Sequence, residues 1–129
     1  MSWDAFTDGA MRLLEKTLTW HTKNQEIISG NIANLDTPGY TRKEMDFQNI
    51  LENYTRGNLM TVGLTTTNPG HLPGSDVEAG LVQETSEDVD LDKEMVHMAE
   101  NQISYNTSVQ MLIKKLSYLR TVIEGGGGA

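Results

Sequence analysis

Residues 11–40, MRLLEKTLTWHTKNQEIISGNIANLDTPGY, decide the architecture of this chain. Within them Met11, Leu14, Leu18, His21, Gln25, Ile28, Ile32 and Leu35 recur at spacings that alternate between three and four. That is a heptad seam, a pattern that only a helix can bring to one side. His21 and Gln25 are polar, and a polar pair on a seam sets register or meets another subunit more readily than it binds a ligand. The stretch then stops by its own chemistry. Pro38 forces Thr37 out of the helical region, Asn34 or Asp36 can close the last turn, and Pro38-Gly39 suits the centre of a type II turn. Gly30 and Ala33 are small enough to let another backbone approach the helix. Past the turn, Tyr40 to Phe47 is expected to run extended, with Tyr40 and Phe47 as anchors.

The far end repeats the pattern. Leu91, Met95, Met98, Gln102, Tyr105, Val109, Leu112, Leu116, Leu119 and Ile123 keep the alternation without a break. Asp90 is placed as N-cap, with Asp92 and Glu94 in the first turn, where the helix dipole favours anions. Lys114, Lys115 and Arg120 lie towards the other pole. Gly125–Gly128 are expected to end the helix and leave 125–129 as a tail. At ~1.5 Å per residue the two helices are rods of about 40–50 Å. Leu13, Trp20 and Ile27 flank the first seam, and Val96, Ile103, Ile113, Tyr118 and Val122 flank the second. The apolar faces are thus wider than one hairpin can cover, and helices from other chains are expected to cover the rest.

Residues 55–80 differ in kind, with five Gly, five Thr and two Pro and the turn signals Asn68-Pro69-Gly70 and Pro73-Gly74. Met60–Leu64 and Gly80–Gln83 are the candidate strands. The expected fold is all-α: two long N- and C-terminal helices pairing like a coiled coil around a turn-rich extended or small β-hairpin insert. The expected segments are 1–47 (helix and junction), 48–85 (insert), 86–124 (C-terminal helix) and 125–129 (Gly tail).

Composition excludes several function classes. The 129 residues carry a formal net charge of −8, and residues 76–100 hold nine acids against one base, Lys93. The remainder is balanced, so no basic face for nucleic acid is expected. No run approaches the ~20 apolar residues of a membrane span. The first residues lack the basic and apolar regions of a cleaved secretory signal. The absence of cysteine rules out disulfides, thiolate metal sites and cysteine nucleophiles.

Catalytic constellations are equally sparse. Glu94-Met-Val-His97 has the Glu-x-x-His spacing of carboxylate-bridged di-iron bundles, but such sites need two copies and two further glutamates. One copy is present, and the heptad phase turns His97 outward, so a helical metal-binding bundle is the alternative rather than the main reading. No phosphate loop or nucleophile elbow occurs. No enzyme activity, cofactor or metal is expected.

The junction string as a whole resembles the N-terminal signature of the bacterial flagellar rod and hook proteins. The matching residues are Asn31, Ile32, Ala33, Asn34, Thr37, Pro38, Gly39 and Tyr40. Val89-Asp-Leu-Asp-Lys-Glu-Met95 and Ala99-Glu-Asn-Gln-Ile-Ser-Tyr105 look like the start of that family's C-terminal helix. The short middle, about 45 residues, points to a small member, a proximal rod subunit, rather than to relatives with large outer domains. Another rod or axial subunit is the alternative. The resemblance implies a structural subunit of the torque-transmitting axial shaft, built from copies packed side by side. It implies partners among its own copies, other rod proteins and the basal-body ring and export-gate components. It also implies a place in the periplasm-spanning rod of the basal body, reached through the flagellum's type III channel without a cleaved signal. The residues expected to form the assembly seams are Met11, Leu14, Leu18, Ile28, Ile32 and Leu35, with Met95, Met98, Tyr105, Val109, Leu112, Leu116, Leu119 and Ile123.

Overall fold

The computed structural model describes residues 3–56 and 82–126. The order of elements is α1 (Trp3–Ala33), β1 (Lys43–Met45), α2 (Phe47–Thr55), β2 (Val82–Glu84) and α3 (Leu91–Gly126). α1 and α3 pack along one another, β1 lies against α1, and β1 and β2 form a two-stranded antiparallel sheet. Asn31 meets Glu94 and Asn24 meets Asn101, so the numbering on α1 rises as that on α3 falls and the helices run antiparallel. Two long helices that pack on one another are as the heptads predict; the face that α3 uses is not its expected seam. At ~1.5 Å per residue they are rods of about 46 and 54 Å.

The helix ends follow local chemistry. At the end of α1, Asn34 donates from its side chain to the Gly30 carbonyl at 2.8 Å. Asp36 is exposed, so of the two candidates Asn34 closes the turn. Tyr40 N–H then donates to the Thr37 carbonyl at 3.2 Å, around a Gly39 whose φ is 76°. That is the type II turn expected of Pro38-Gly39. A side chain at position 39 meets no atom within 4 Å, so the cost of Gly39→Ala is backbone strain alone. We expect the substitution to destabilise the hairpin by about 1–2 kcal/mol, read as a lowered thermal midpoint. At α3, Asp90 caps the backbone N–H groups of Asp92 and Lys93 at 3.0 and 3.3 Å, as expected.

Three features depart from the sequence expectation. The extended chain after Tyr40 is short, because Phe47 opens α2 instead of ending a strand. Asp46 caps that helix, accepting from the Asn49 N–H at 3.0 Å. Met45 and Ile50 occupy the two positions of a hydrophobic staple across the cap, and both are buried. Second, the expected strand at 80–83 appears as β2, but its partner is β1: Lys43 pairs with Glu84, Glu44 with Gln83 and Met45 with Val82. The sheet therefore brackets the insert. The other candidate strand, Met60–Leu64, lies outside the described residues. Third, α3 runs through Gly125 to Gly126 instead of ending at Glu124. An end turn with no interior contacts to lose tolerates glycine where a helix centre does not.

The interior is small and largely polar. Among the described residues the buried apolar side chains are Ile28, Met45 and Ile50, while the buried polar ones are Asn31, Glu94, Asn101 and Ser108. Buried amides and carboxylates hold a fold together only when every donor and acceptor is met. Here no buried side-chain nitrogen or oxygen among the described residues lacks a partner.

Candidate functional site

The buried polar residues form two clusters along the α1–α3 interface. The first lies where α1 ends. Asn31 uses all four hydrogen-bonding positions of its amide. Its Nδ2 donates to the Lys43 carbonyl at 2.7 Å and to Glu94 Oε2 at 3.1 Å. Its Oδ1 accepts from the Lys43 N–H and from the Tyr40 hydroxyl, both at 3.0 Å. A strand residue points its N–H and C=O to the same side, and those of Lys43 face α1 rather than β2. Asn31 therefore pairs with β1 as another strand would and covers its open edge. Gly30 leaves room beside this contact: a side chain at position 30 would come to 4.0 Å from the Tyr40 hydroxyl.

Glu94 joins this cluster from α3. Its side chain is 1% exposed, and its Oε1 accepts from Arg42 Nε at 2.6 Å. Arg42 also holds Glu44, at 2.8 Å. Burial opposes the charge of Arg42, but the hydrogen bonds and the charges of Glu94 and Glu44 outweigh it and raise its pKa from the ordinary arginine value. A raised cation pKa adds stability that is lost only as pH climbs through it. That window lies above the ordinary arginine range, so the guanidinium contributes throughout physiological pH.

The second cluster lies further along the hairpin. Asn101 Oδ1 accepts from His21 Nδ1 at 2.9 Å and from Asn24 Nδ2 at 3.1 Å. Its Nδ2 donates to the His21 carbonyl and to Gln25 Oε1, both at 2.9 Å. With both amide hydrogens committed, Oδ1 must face His21, so Nδ1 of that ring is a donor. The His21 ring also packs 5.2 Å from that of Phe47. Phe47 is thus an anchor as expected, though from a helix.

Glu94 and His97 do not act together. Glu94 turns inward to Arg42 and Asn31, while His97 is exposed on the surface, 3.9 Å from Glu100. Among the described residues no group of three or more His, Cys, Asp or Glu side chains converges.

The seam residues divide between interior and surface. On α1, Ile28 is buried and Met11, Leu14, Leu18 and Ile32 are partly buried, whereas Leu35, expected to end the seam, lies exposed in the turn beyond Ala33, where the helix has already stopped. On α3, Met98, Tyr105, Val109, Leu112 and Leu119 are partly buried, but Met95, Leu116 and Ile123 stand 54%, 48% and 75% exposed. In their place Glu94, Asn101 and Ser108 turn inward. Within the hairpin, then, the contact face of α3 is rotated from its most apolar line. In the junction motif Asn31 is buried and Ile32, Asn34 and Tyr40 partly so, while Ala33, Thr37, Pro38 and Gly39 are on the surface. Glu94, Arg42 and Asn101 are absent from the seam and junction residues chosen by sequence. The signal available was the run Glu94, Asn101, Ser108 and Lys115, polar residues seven apart, which an apolar count passes over.

Residues 11–41 match the family described as "Flagella basal body rod protein". A "Flagellar basal body rod protein FlgB" of Bacillus subtilis is 33% identical, over 92% of this chain and 95% of the relative. The chain belongs to the FlgB family of flagellar basal body rod proteins. Family members so named in Salmonella typhimurium and Escherichia coli K12 are 33% and 30% identical, each over 92% of this chain and 96% of the relative. The likeness therefore runs through both terminal helices and the insert, and reaches well beyond the junction motif.

Proposed function

We propose that this chain is a structural subunit of the proximal rod of the bacterial flagellum, without catalytic activity. The observation that carries the reading is likeness to flagellar rod proteins over nearly the full length of both chains. The physical character of the hairpin supports it. Met95, Ile103, Leu116 and Ile123 leave α3 apolar on the outside, and exposed apolar surface on this scale marks contacts with other chains. The partners are other copies, other rod proteins and the ring and export-gate components at the rod's base, joined in an open helical assembly. The subunit belongs in the basal body and reaches it through the flagellar type III channel. No helix among the described residues is long and apolar enough to cross a membrane.

The test separates folding from assembly. Ile28 and Leu112 are at the helix interface, so charges there would damage the hairpin itself. Leu116→Asp and Ile123→Asp instead place a charge on the exposed face. Each is expected to leave the helix content of the purified chain unchanged by circular dichroism and to abolish swimming when it replaces the resident gene. Swimming at the normal rate with both changes combined would contradict the reading.

A further inference from the structure

α3 carries two overlapping heptad faces, which share Met98, Tyr105, Leu112 and Leu119. One is completed by Glu94, Asn101 and Ser108, the other by Met95, Gln102 and Val109, each one residue further on. At ~100° per residue, exchanging the alternate members turns the centre of the seam by roughly 50°. Apolar burial alone favours the second face. The hairpin uses the first: Asn101 and Ser108 are 6% and 7% exposed. What holds it there is polar matching. His21, Asn24 and Gln25 project from α1 at the height of Asn101 and meet every position of its amide. Turning α3 to its apolar face carries Asn101 out of reach of these partners.

We propose that Asn101 is a positioning residue that selects the face α3 offers to α1 and so keeps Met95 and Leu116, at either end of the alternate set, turned away from the hairpin. The inference rests on the rod reading only for the use made of the released face. The selection itself belongs to the single chain.

The chain has no cysteine, so engineered pairs can report the face directly. The antiparallel match of Asn31 with Glu94 and Asn24 with Asn101 continues to Thr17 opposite Ser108. Thr17→Cys with Ser108→Cys marks the observed face, and Thr17→Cys with Val109→Cys the apolar one. In the purified full chain under mild oxidation, the first pair is expected to close about tenfold faster than the second. Asn101→Ala should move that ratio about tenfold towards the second pair, with helix content unchanged. Gln25→Leu removes one of the bonds to Asn101 and should move it the same way by less. It keeps the test open if Asn101→Ala fails to fold. Equal closure in the chain with Asn101 intact overturns the proposal, as does a ratio that neither substitution moves. These rates are read without flagella, so failure here is distinct from failure of the rod reading, which the swimming assay decides.

Discussion

Asn31→Asp is expected to abolish swimming and to melt the helix junction, although it changes side-chain size hardly at all. The native amide donates to the Lys43 carbonyl and to Glu94 Oε2 through one nitrogen. The substitution puts an acceptor oxygen there, 2.7 Å from one acceptor and 3.1 Å from another. Both native bonds are lost and become repulsive, in a side chain that is fully buried. Leaving two buried polar groups unmet costs about 2–6 kcal/mol, which is of the same order as the whole stability of a small domain. Hydrogen exchange should show lost protection at Lys43, and denaturation should begin at a lower urea concentration. Asn31→Ala orphans the same groups without the repulsion, and its loss should be smaller. If Asn31→Asp swims and melts as the unsubstituted chain does, the junction cluster has no part in stability or assembly.

The second large effect is expected at Glu94→Ala. This change removes the partner of Arg42 and one partner of Asn31 together. A buried ion pair is weak evidence of net stabilisation, but breaking one by deleting a single partner costs about 3–5 kcal/mol. Arg42 keeps Glu44 and some access to water, which places the expected loss near the lower end. Glu94→Gln retains a shape and an acceptor for Asn31 and should recover part of it. Adding Arg42→Met to Glu94→Ala removes the stranded cation, and that double variant should be more stable than Glu94→Ala alone. Arg42→Met alone completes the cycle, and losses of the two single variants that sum to that of the double would show that the two side chains do not act as a pair.

The long helices and the turn between α1 and β1 were legible because their causes are local. A 3–4 alternation needs only a period, Pro38-Gly39 carries its own dihedral preferences, and Asp90 caps its own backbone. α2 was legible in principle. Asp46 before Phe47, Ile50 and Leu51 is a cap followed by a helical apolar spacing, hidden by the expectation of an extended chain. The site was read only in part. Asn31 stands in the quoted motif, but nothing local says that its amide takes the place of a strand. Glu94 read as a first-turn anion favoured by the helix dipole, and its spacing to His97 offered a metal site only as an alternative. Its actual partner, Arg42, is 52 residues away in sequence.

The sequence by itself determined that this chain is two long helices with a Pro-Gly junction and more apolar surface than one hairpin can bury. Those properties follow from periodicity and backbone preference within each segment. Only the tertiary structure decided which face of α3 turns inward. The apolar pattern ranks Met95 and Leu116 above Glu94 and Asn101, and the fold reverses that order. The physical reason is that a buried amide or carboxylate is costly alone and well held when every donor and acceptor is met. Whether they are met depends on Asn31, Arg42, His21 and Gln25, side chains from distant parts of the chain that no local pattern brings together.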